Sequence, residues 1–176
     1  MDLVIRQATI EDAATVLGIL NEASRWLEDS GMAMWHTYEL DDDHLRSGVA
    51  SGQFVLASVE GNPAATLRFQ LEDLLFWPDQ PQDESTYIHR FAVRRQYAGK
   101  GVSAEMLQWV VDRTRELGRH YVRLDCQANR PKLRAVYERF GFRHHSDRQV
   151  GPHFVARYEY DVLDSFPSTH LRDAAP

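Results

Sequence analysis

The sequence predicts an α/β chain organised around residues 86–142, and three observations carry that reading. A β-branched and aromatic run, Thr86–Val93, is followed by a turn with two glycines and then by a helical repeat of apolar residues. A second strand-like run, His120–Cys126, and a second short helical repeat come directly after it. The flanks read as strands around the turn signals Glu60-Gly61-Asn62-Pro63 and Gly151-Pro152. At 176 residues the chain has the size of one domain with a full core. That domain is expected over residues 1–164. Residues 165–176 are polar and proline-containing and are expected to form a loose tail.

Taken in order, Leu3–Arg6 is a short strand. Thr9-Ile10-Glu11-Asp12 is a capping-box variant with acidic residues in the first turn, and Ala13, Val16, Leu17 and Leu20 carry the apolar face of the helix it opens towards Leu27. Asp41–Asp43 reads as the solvated start of a second helix. Gln53–Val59 and Ala64–Gln70 are the arms of a hairpin. Leu71–Ser85 is the longest irregular stretch. It carries Leu74-Leu75-Phe76-Trp77, so it is a lid, a dimer contact, or a segment folded back on the core. Val102, Met106, Leu107, Val110, Val111 and Leu117 share one helical face that stops at Gly118. Leu133, Val136, Tyr137 and Phe140 recur at three and four and stop at Gly141. Phe142–Ser146 and His153–Tyr160 then read as a closing antiparallel pair. No metal is expected from His144, His145 and His153, because adjacent strand residues point to opposite faces and no third ligand has a recognisable spacing.

Composition narrows the partners. A net charge of −6 argues against nucleic acid or an anionic membrane as the main partner. Cys126 is the only cysteine, so no internal disulfide forms. The N-terminus has no basic-then-apolar signal pattern, and no apolar run approaches membrane-spanning length. A cytoplasmic protein is the expectation.

The turn Gln96-Tyr97-Ala98-Gly99-Lys100-Gly101 carries the chemistry. Glycines allow positive φ and close approach of a ligand, and a helix starting just beyond presents unpaired N–H groups and the positive end of its dipole. Arg94, Arg95 and Lys100 add positive charge, so the turn suits a pyrophosphate. It is not a P-loop, which needs four residues between its glycines and Ser or Thr after Gly-Lys. Gly99-Lys100-Gly101-Val102-Ser103-Ala104 also fits a dinucleotide fingerprint, with Asp125 downstream. That fold runs its strand almost directly into the first glycine and repeats βαβ units. Here Arg94–Ala98 intervene, and strands alone follow Gly141.

A third motif, Q/R-x-x-G-x-G/A, is matched completely by Gln96–Gly101, between a strand ending Ala92-Val93 and an amphipathic helix, with Asn129, Tyr137 and Phe140-Gly141-Phe142 downstream. In this order of features the segment resembles the GNAT superfamily of acyl-CoA-dependent N-acetyltransferases. The close match covers about a third of the chain. The resemblance implies a mixed, mostly antiparallel sheet of about seven strands, flanked by helices and splayed into a V between the fourth and fifth strands. It implies acetyl-CoA as cofactor and direct transfer to an amine in a ternary complex. The pantetheine arm would bond the backbone around Phe91, Ala92 and Val93. The pyrophosphate would sit on Arg94, Arg95, Gln96, Tyr97, Ala98, Gly99, Lys100 and Gly101 and on the first helical residues, Val102 and Ser103. Asn129, which otherwise caps the helix ahead of Pro131, and Lys132 complete the expected cofactor contacts.

Acetylating an amine sets definite demands. An alkylammonium of pKa ~10.4 is neutral in only about one part in a thousand near pH 7, so exposing its lone pair costs roughly 4–5 kcal/mol without help. Tyr137 matches the family tyrosine whose hydroxyl points at the thioester sulfur, and is the candidate general acid; it also belongs to the apolar stripe of its helix. His89 is the candidate base. Some members, arylalkylamine acetyltransferases among them, place a catalytic histidine on this strand, and others a glutamate. Glu84 is the substitute. Cys126 reads as a buried small side chain rather than a nucleophile. Trp26, Trp35, Phe76 and Trp77 are expected at the acceptor, where aromatic faces attract ammonium groups, although the tryptophans and methionines around Gly31 could equally plug the core. The expected partner is a small-molecule amine. Acetylation of protein N-termini or lysines and a non-catalytic acyl-CoA sensor are the alternatives. Oligomeric state stays open, with Leu74–Trp77 as the candidate contact of a homodimer.

Overall fold

The computed structural model describes residues 2–32 and 42–163. Its strands are β1 (Leu3–Gln7), β2 (Phe54–Val59), β3 (Asn62–Gln70), β4 (Ser85–Val93), β5 (Tyr121–Gln127), β6 (Arg143–Val150) and β7 (His153–Asp161). Its helices are α1 (Ala13–Asp29), α2 (Asp42–Ala50), α3 (Val102–Glu116) and α4 (Pro131–Phe140). The strands form one sheet in the order β1-β2-β3-β4-β5-β7-β6. Only the β4–β5 pair is parallel among the described pairings. It is also the pair whose connection contains a full helix, α3, as a parallel crossover requires.

Both faces of the sheet are covered. Val55, Ala57 and Val59 face one core with α3 residues such as Met106 and Val110, while Phe54 and Leu56 face a second core with Val16, Ile19 and Leu20 of α1. This is the alternation a strand imposes, with apolar residues on both sides because both sides are buried. The charged edge strand β6 is largely exposed, which discourages pairing with another chain.

Local signals account for most boundaries. Asp12 accepts a hydrogen bond from the Thr9 amide at 2.8 Å and pairs with Arg6, so the expected cap forms, with one short 3-10 turn before α1. The first hairpin is tighter than its sequence implied. Only Glu60 and Gly61, at φ 52° and 78°, make the turn, and Asn62 and Pro63 join β3.

The segment 71–84 folds back on the core, and Trp77 is its anchor. That side chain is fully buried. The guanidinium carbons of Arg157 and Arg123 lie 4.6 and 5.2 Å from its ring centroid. Arg157 also holds Asp79 through two hydrogen bonds, at 2.6 and 3.0 Å. Gln82 donates to the Trp77 carbonyl, and Arg119 gathers the carbonyls of Leu71, Gln82 and Ser85. Leu74 and Leu75 remain exposed, at 66% and 65%. Trp77 therefore neither covers an acceptor nor meets a partner chain. Truncating it to alanine should cost about 3–5 kcal/mol, measured as a drop in the urea midpoint; a loss under about 1 kcal/mol would remove it as the anchor.

Candidate active site

The site is a parting of two strands. The β4–β5 ladder runs from Ser85 opposite Tyr121 to Ile88 opposite Leu124 and ends there, although both strands continue. On its other side β4 changes register with β3: Thr66 pairs with Ala92 and Arg68 with His89, so Leu67 alone faces Arg90 and Phe91. Arg90 sits at φ 51°, a left-handed conformation unusual for a side-chain-bearing residue. A bulge of this kind bends its strand and increases the local twist. A cavity of about 430 Å³ opens in the parting, lined by Ile88, His89, Phe91, Asp125, Cys126 and Tyr137 among others. That volume suits a small ligand.

His89 stands between two carboxylates. Its Nε2 lies 2.9 Å from Asp73 Oδ2, and its Nδ1 is 3.6 Å from Asp125 Oδ1. Asp73 is held from the other side: its Oδ1 accepts from the Phe76 amide at 3.0 Å, and its own amide donates to Gln82 Oε1. The Phe76 ring packs on the imidazole with centroids 5.6 Å apart. The two acids titrate in opposite directions. Burial pushes the Asp73 carboxyl up, but the hydrogen bond and charge of His89 outweigh it, and the net shift is downward. Burial pushes the Asp125 carboxyl up to about 6, with the charge of His89 opposing, and its Oδ1 is buried without a hydrogen bond. One ligand atom from each of the three residues lies within 4.8 Å of the others, a spacing that could also seat a cation.

Tyr137 is buried and lines the same cavity, its ring against Phe142 and Tyr158. Burial raises its phenol pKa, so the hydroxyl keeps its proton at neutral pH. Tyr137 thus packs in the apolar stripe of its helix and also lines the cavity. Cys126 is also buried there. Burial pushes its thiol up to about 12, which leaves no thiolate for nucleophilic attack.

The glycine turn lies between β4 and α3, as the motif required. Gly99 and Gly101 have φ 73° and 87°, and a Cβ on either would meet nothing within 4 Å. The cradle is open. Gly101 is the N-cap of α3 and provides no side-chain cap, so the amides of the first turn are available to an anion. Arg95 and Lys100 are exposed beside it. The turn is clasped from α1: Glu22 accepts from Arg94 Nη1 at 2.9 Å and from the Arg95 amide at 3.2 Å, and the Arg95 guanidinium carbon lies 3.9 Å from the Trp26 ring centroid. An open glycine cradle, a helix start and two exposed cations fit a pyrophosphate.

Not every expected residue comes to the cavity. Trp26 stands under the glycine turn, and Trp77 is in the core. Trp35, with Met34, lies outside the described residues, as do residues 165–176. Phe76 does line the cavity. Glu84 is exposed at the start of β4, at the end where the strands are still paired, and its carbonyl accepts from the amides of His120 and Tyr121. Asn129 and Lys132 are exposed around the start of α4. Asn129 does not cap that helix: Arg130 holds the N-cap position, and its side chain donates to Gln127 Oε1 at 3.2 Å rather than capping. His144 bonds Asp147 and His145 bonds Ser146 on the edge strand, while His153 reaches the cavity wall. Sequence reading missed Asp73 and Asp125 as partners of His89. The signal for Asp125 was its strand register beside a candidate base; Asp73 lies sixteen residues upstream in an irregular loop and had none.

The fold and this constellation are those of an acyltransferase, with an open anion cradle leading to a split between parallel strands that is lined by His89, Asp125 and Tyr137. Residues 20–142 match the model of the "Acetyltransferase (GNAT) family", and the chain belongs to that family. Among curated proteins it is similar to the "Uncharacterized N-acetyltransferase YesJ" of Bacillus subtilis (strain 168), 32% identical over 146 residues that span 77% of this chain and 78% of that one. Among solved structures it resembles a GNAT-family acetyltransferase of Listeria monocytogenes 4b F2365, with TM-score 0.78 and 22% identity over 90% of this chain and 94% of that one. It also resembles AAC(6')-Ib in complex with paromomycin and acetyl-CoA, with TM-score 0.76 and 14% identity over 96% and 99% of the two chains. At these identities the two structures speak for the fold. No helix among the described residues is long and apolar enough to cross a membrane.

The raised Asp125 carboxyl has a thermodynamic consequence. Its pKa is about 6 in the folded chain against 3.8 ordinarily, so between about pH 4 and 6 the folded state binds more protons than the unfolded one. Stability from this group is present below that window and falls as pH rises through it, by roughly 2–3 kcal/mol. Asp125→Asn should therefore gain stability relative to the unsubstituted chain across pH 4 to 6, followed by thermal unfolding. A stability difference independent of pH would show that the carboxyl titrates normally.

Proposed function

We propose that the chain is an acetyl-CoA-dependent N-acetyltransferase acting on a small-molecule amine, by direct transfer in a ternary complex. One observation carries this reading: His89, held by a carboxylate, and the protonated Tyr137 share one cavity at the parting of β4 and β5. Structures of the same fold that contain acetyl-CoA or coenzyme A support the choice of cofactor.

Acetyl-CoA, when bound, supplies the acetyl group and departs as the thiol. The residues of the chain do the rest. The open glycine cradle and the start of α3 hold the pyrophosphate, and the unpaired stretch of β4 beyond Ile88 offers backbone groups to the pantetheine arm. With Nε2–H donated to Asp73, the Nδ1 lone pair of His89 takes the ammonium proton, and the charge this creates is stabilised by Asp73 and Asp125. Tyr137 would hold a proton at its hydroxyl for the sulfur that leaves, and would regain one from the nitrogen, which sheds its second proton on becoming the amide. A sensor without turnover needs the glycine cradle but neither of these groups. A cavity of about 430 Å³, walled by Leu75 and Phe76, favours a small acceptor over a protein chain.

Two measurements test this. Acetyl-CoA at ~100-fold above its Kd should stabilise the chain by about 2.7 kcal/mol, and NAD should not. Gly101→Val, which places a branched side chain at a left-handed position in the cradle, should weaken acetyl-CoA binding roughly tenfold or more. Stabilisation by NAD alone would revive the dinucleotide reading. In steady-state kinetics Tyr137→Phe should lower kcat by about 10²-fold or more with little change in KM for acetyl-CoA, and His89→Ala should abolish the acid limb of the kcat/KM profile. Full activity in Tyr137→Phe would return that tyrosine to a packing role.

A further inference from the structure

The acceptor end of the cavity carries two guanidinium groups, and they bear on what the amine must bring with it. Arg68 lies directly across the β3–β4 ladder from His89, so the two side chains leave the same face of the sheet. Both line the cavity, as does Arg90. Arg68 Nε and Nη2 donate to Gln53 Oε1 at 2.8 and 2.6 Å. A neutral amide fixes the direction of the guanidinium without cancelling its charge. Gly48 of α2 roofs it: a Cβ there would fall 3.9 Å from Arg68 Cζ and 3.0 Å from the Phe54 ring. Among the described residues Arg68 has no carboxylate at ion-pair distance, and Asp73 acts on it only from further off. Burial lowers its pKa, the like charge of Arg90 lowers it further, and Asp73 opposes both. A half-buried cation, beside a second cation and held by a neutral group, is an expensive arrangement that an anion would complete.

The cavity is therefore polarised. Asp73, His89 and Asp125 attract an ammonium group and take its proton, and Arg68 stands one cross-strand pair away. We infer that the acceptor is a zwitterion: a primary amine with an anionic group, carboxylate or phosphonate, a few bonds from the nitrogen, and that Arg68 selects it by that anion. This rests on the acetyltransferase reading above and adds the substrate class.

The test is release of free CoA from acetyl-CoA with three acceptor series matched at the amine: L-amino acids, their carboxamides, and aminoalkylphosphonates. The expected result is a kcat/KM at least about tenfold higher for one acidic series than for the carboxamides, the worth of one charge-assisted contact. That acid-to-amide ratio should fall about tenfold in Arg68→Gln and lie between the two in Arg68→Lys. Taking the ratio within each variant cancels any general loss of folded enzyme, and if neither variant folds, the ratio in the unsubstituted chain decides. The carboxylate and phosphonate arms tell which anion the site takes. Carboxamides used as well as the acids, or an unchanged ratio in Arg68→Gln, overturns the inference and leaves the acetyltransferase standing. Stabilisation by acetyl-CoA with no CoA released to any amine removes the acetyltransferase reading, and the acceptor class with it.

Discussion

The end of the β4–β5 ladder at Ile88 and Leu124 is the constraint on which the rest of the site depends. Hydrogen bonds hold the strands together below that pair and are given up above it. The bulge at Arg90 and Phe91 supplies a local reason. One residue of β3 faces two of β4, one of them left-handed, and β4 bends where its pairing with β5 stops. Continuous pairing would fill the gap with ladder and bury His89 and Asp125 against each other with no cavity. The strain of a left-handed arginine is small beside what the rest of the sheet contributes, and it falls where function needs an irregularity.

The second requirement is that a loop become part of the sheet's chemistry. Asp73 reaches His89 because the segment 71–84 is tied down at both ends and in the middle, by Arg119 on its carbonyls and by Trp77 in the core between two arginines. The turn that holds the Asp73 carboxylate, through the Phe76 amide, also puts the Phe76 ring on the imidazole. Anchoring, carboxylate placement and ring packing are one structure, so a change in the anchor is felt at His89.

Environment gives two chemically identical acids different duties. Asp73 receives a hydrogen bond from His89 and one from a backbone amide, and is held in its charged form. Asp125 has the same imidazole at 3.6 Å but a buried oxygen with no hydrogen bond, and is pushed towards its neutral form. The two carboxyls flank one imidazole, one on each ring nitrogen. Arg68 and Arg90 on the neighbouring wall give the same cavity an opposite pole.

Much of this was legible in the chain alone, where the signal is local. The glycine turn, the amphipathic repeat of α3 and the stop at Gly118 are written within a few residues, because a left-handed turn and a helical face are properties of short segments. Tyr137 and His89 were legible as candidates for the same reason: each sits at a countable position on an element with a recognised neighbourhood. What only the tertiary structure decided was long-range. Trp77 went to the core rather than to the acceptor because two arginines from β5 and β7 meet its faces. Glu84 was left at the closed end of the strand pair. Asp73, Asp125 and Arg68 became partners of His89 through loop placement, parallel register and cross-strand pairing, none of which is encoded within any one stretch. Local conformation follows from sequence spacing; which charges face one another follows from how distant strands are laid side by side.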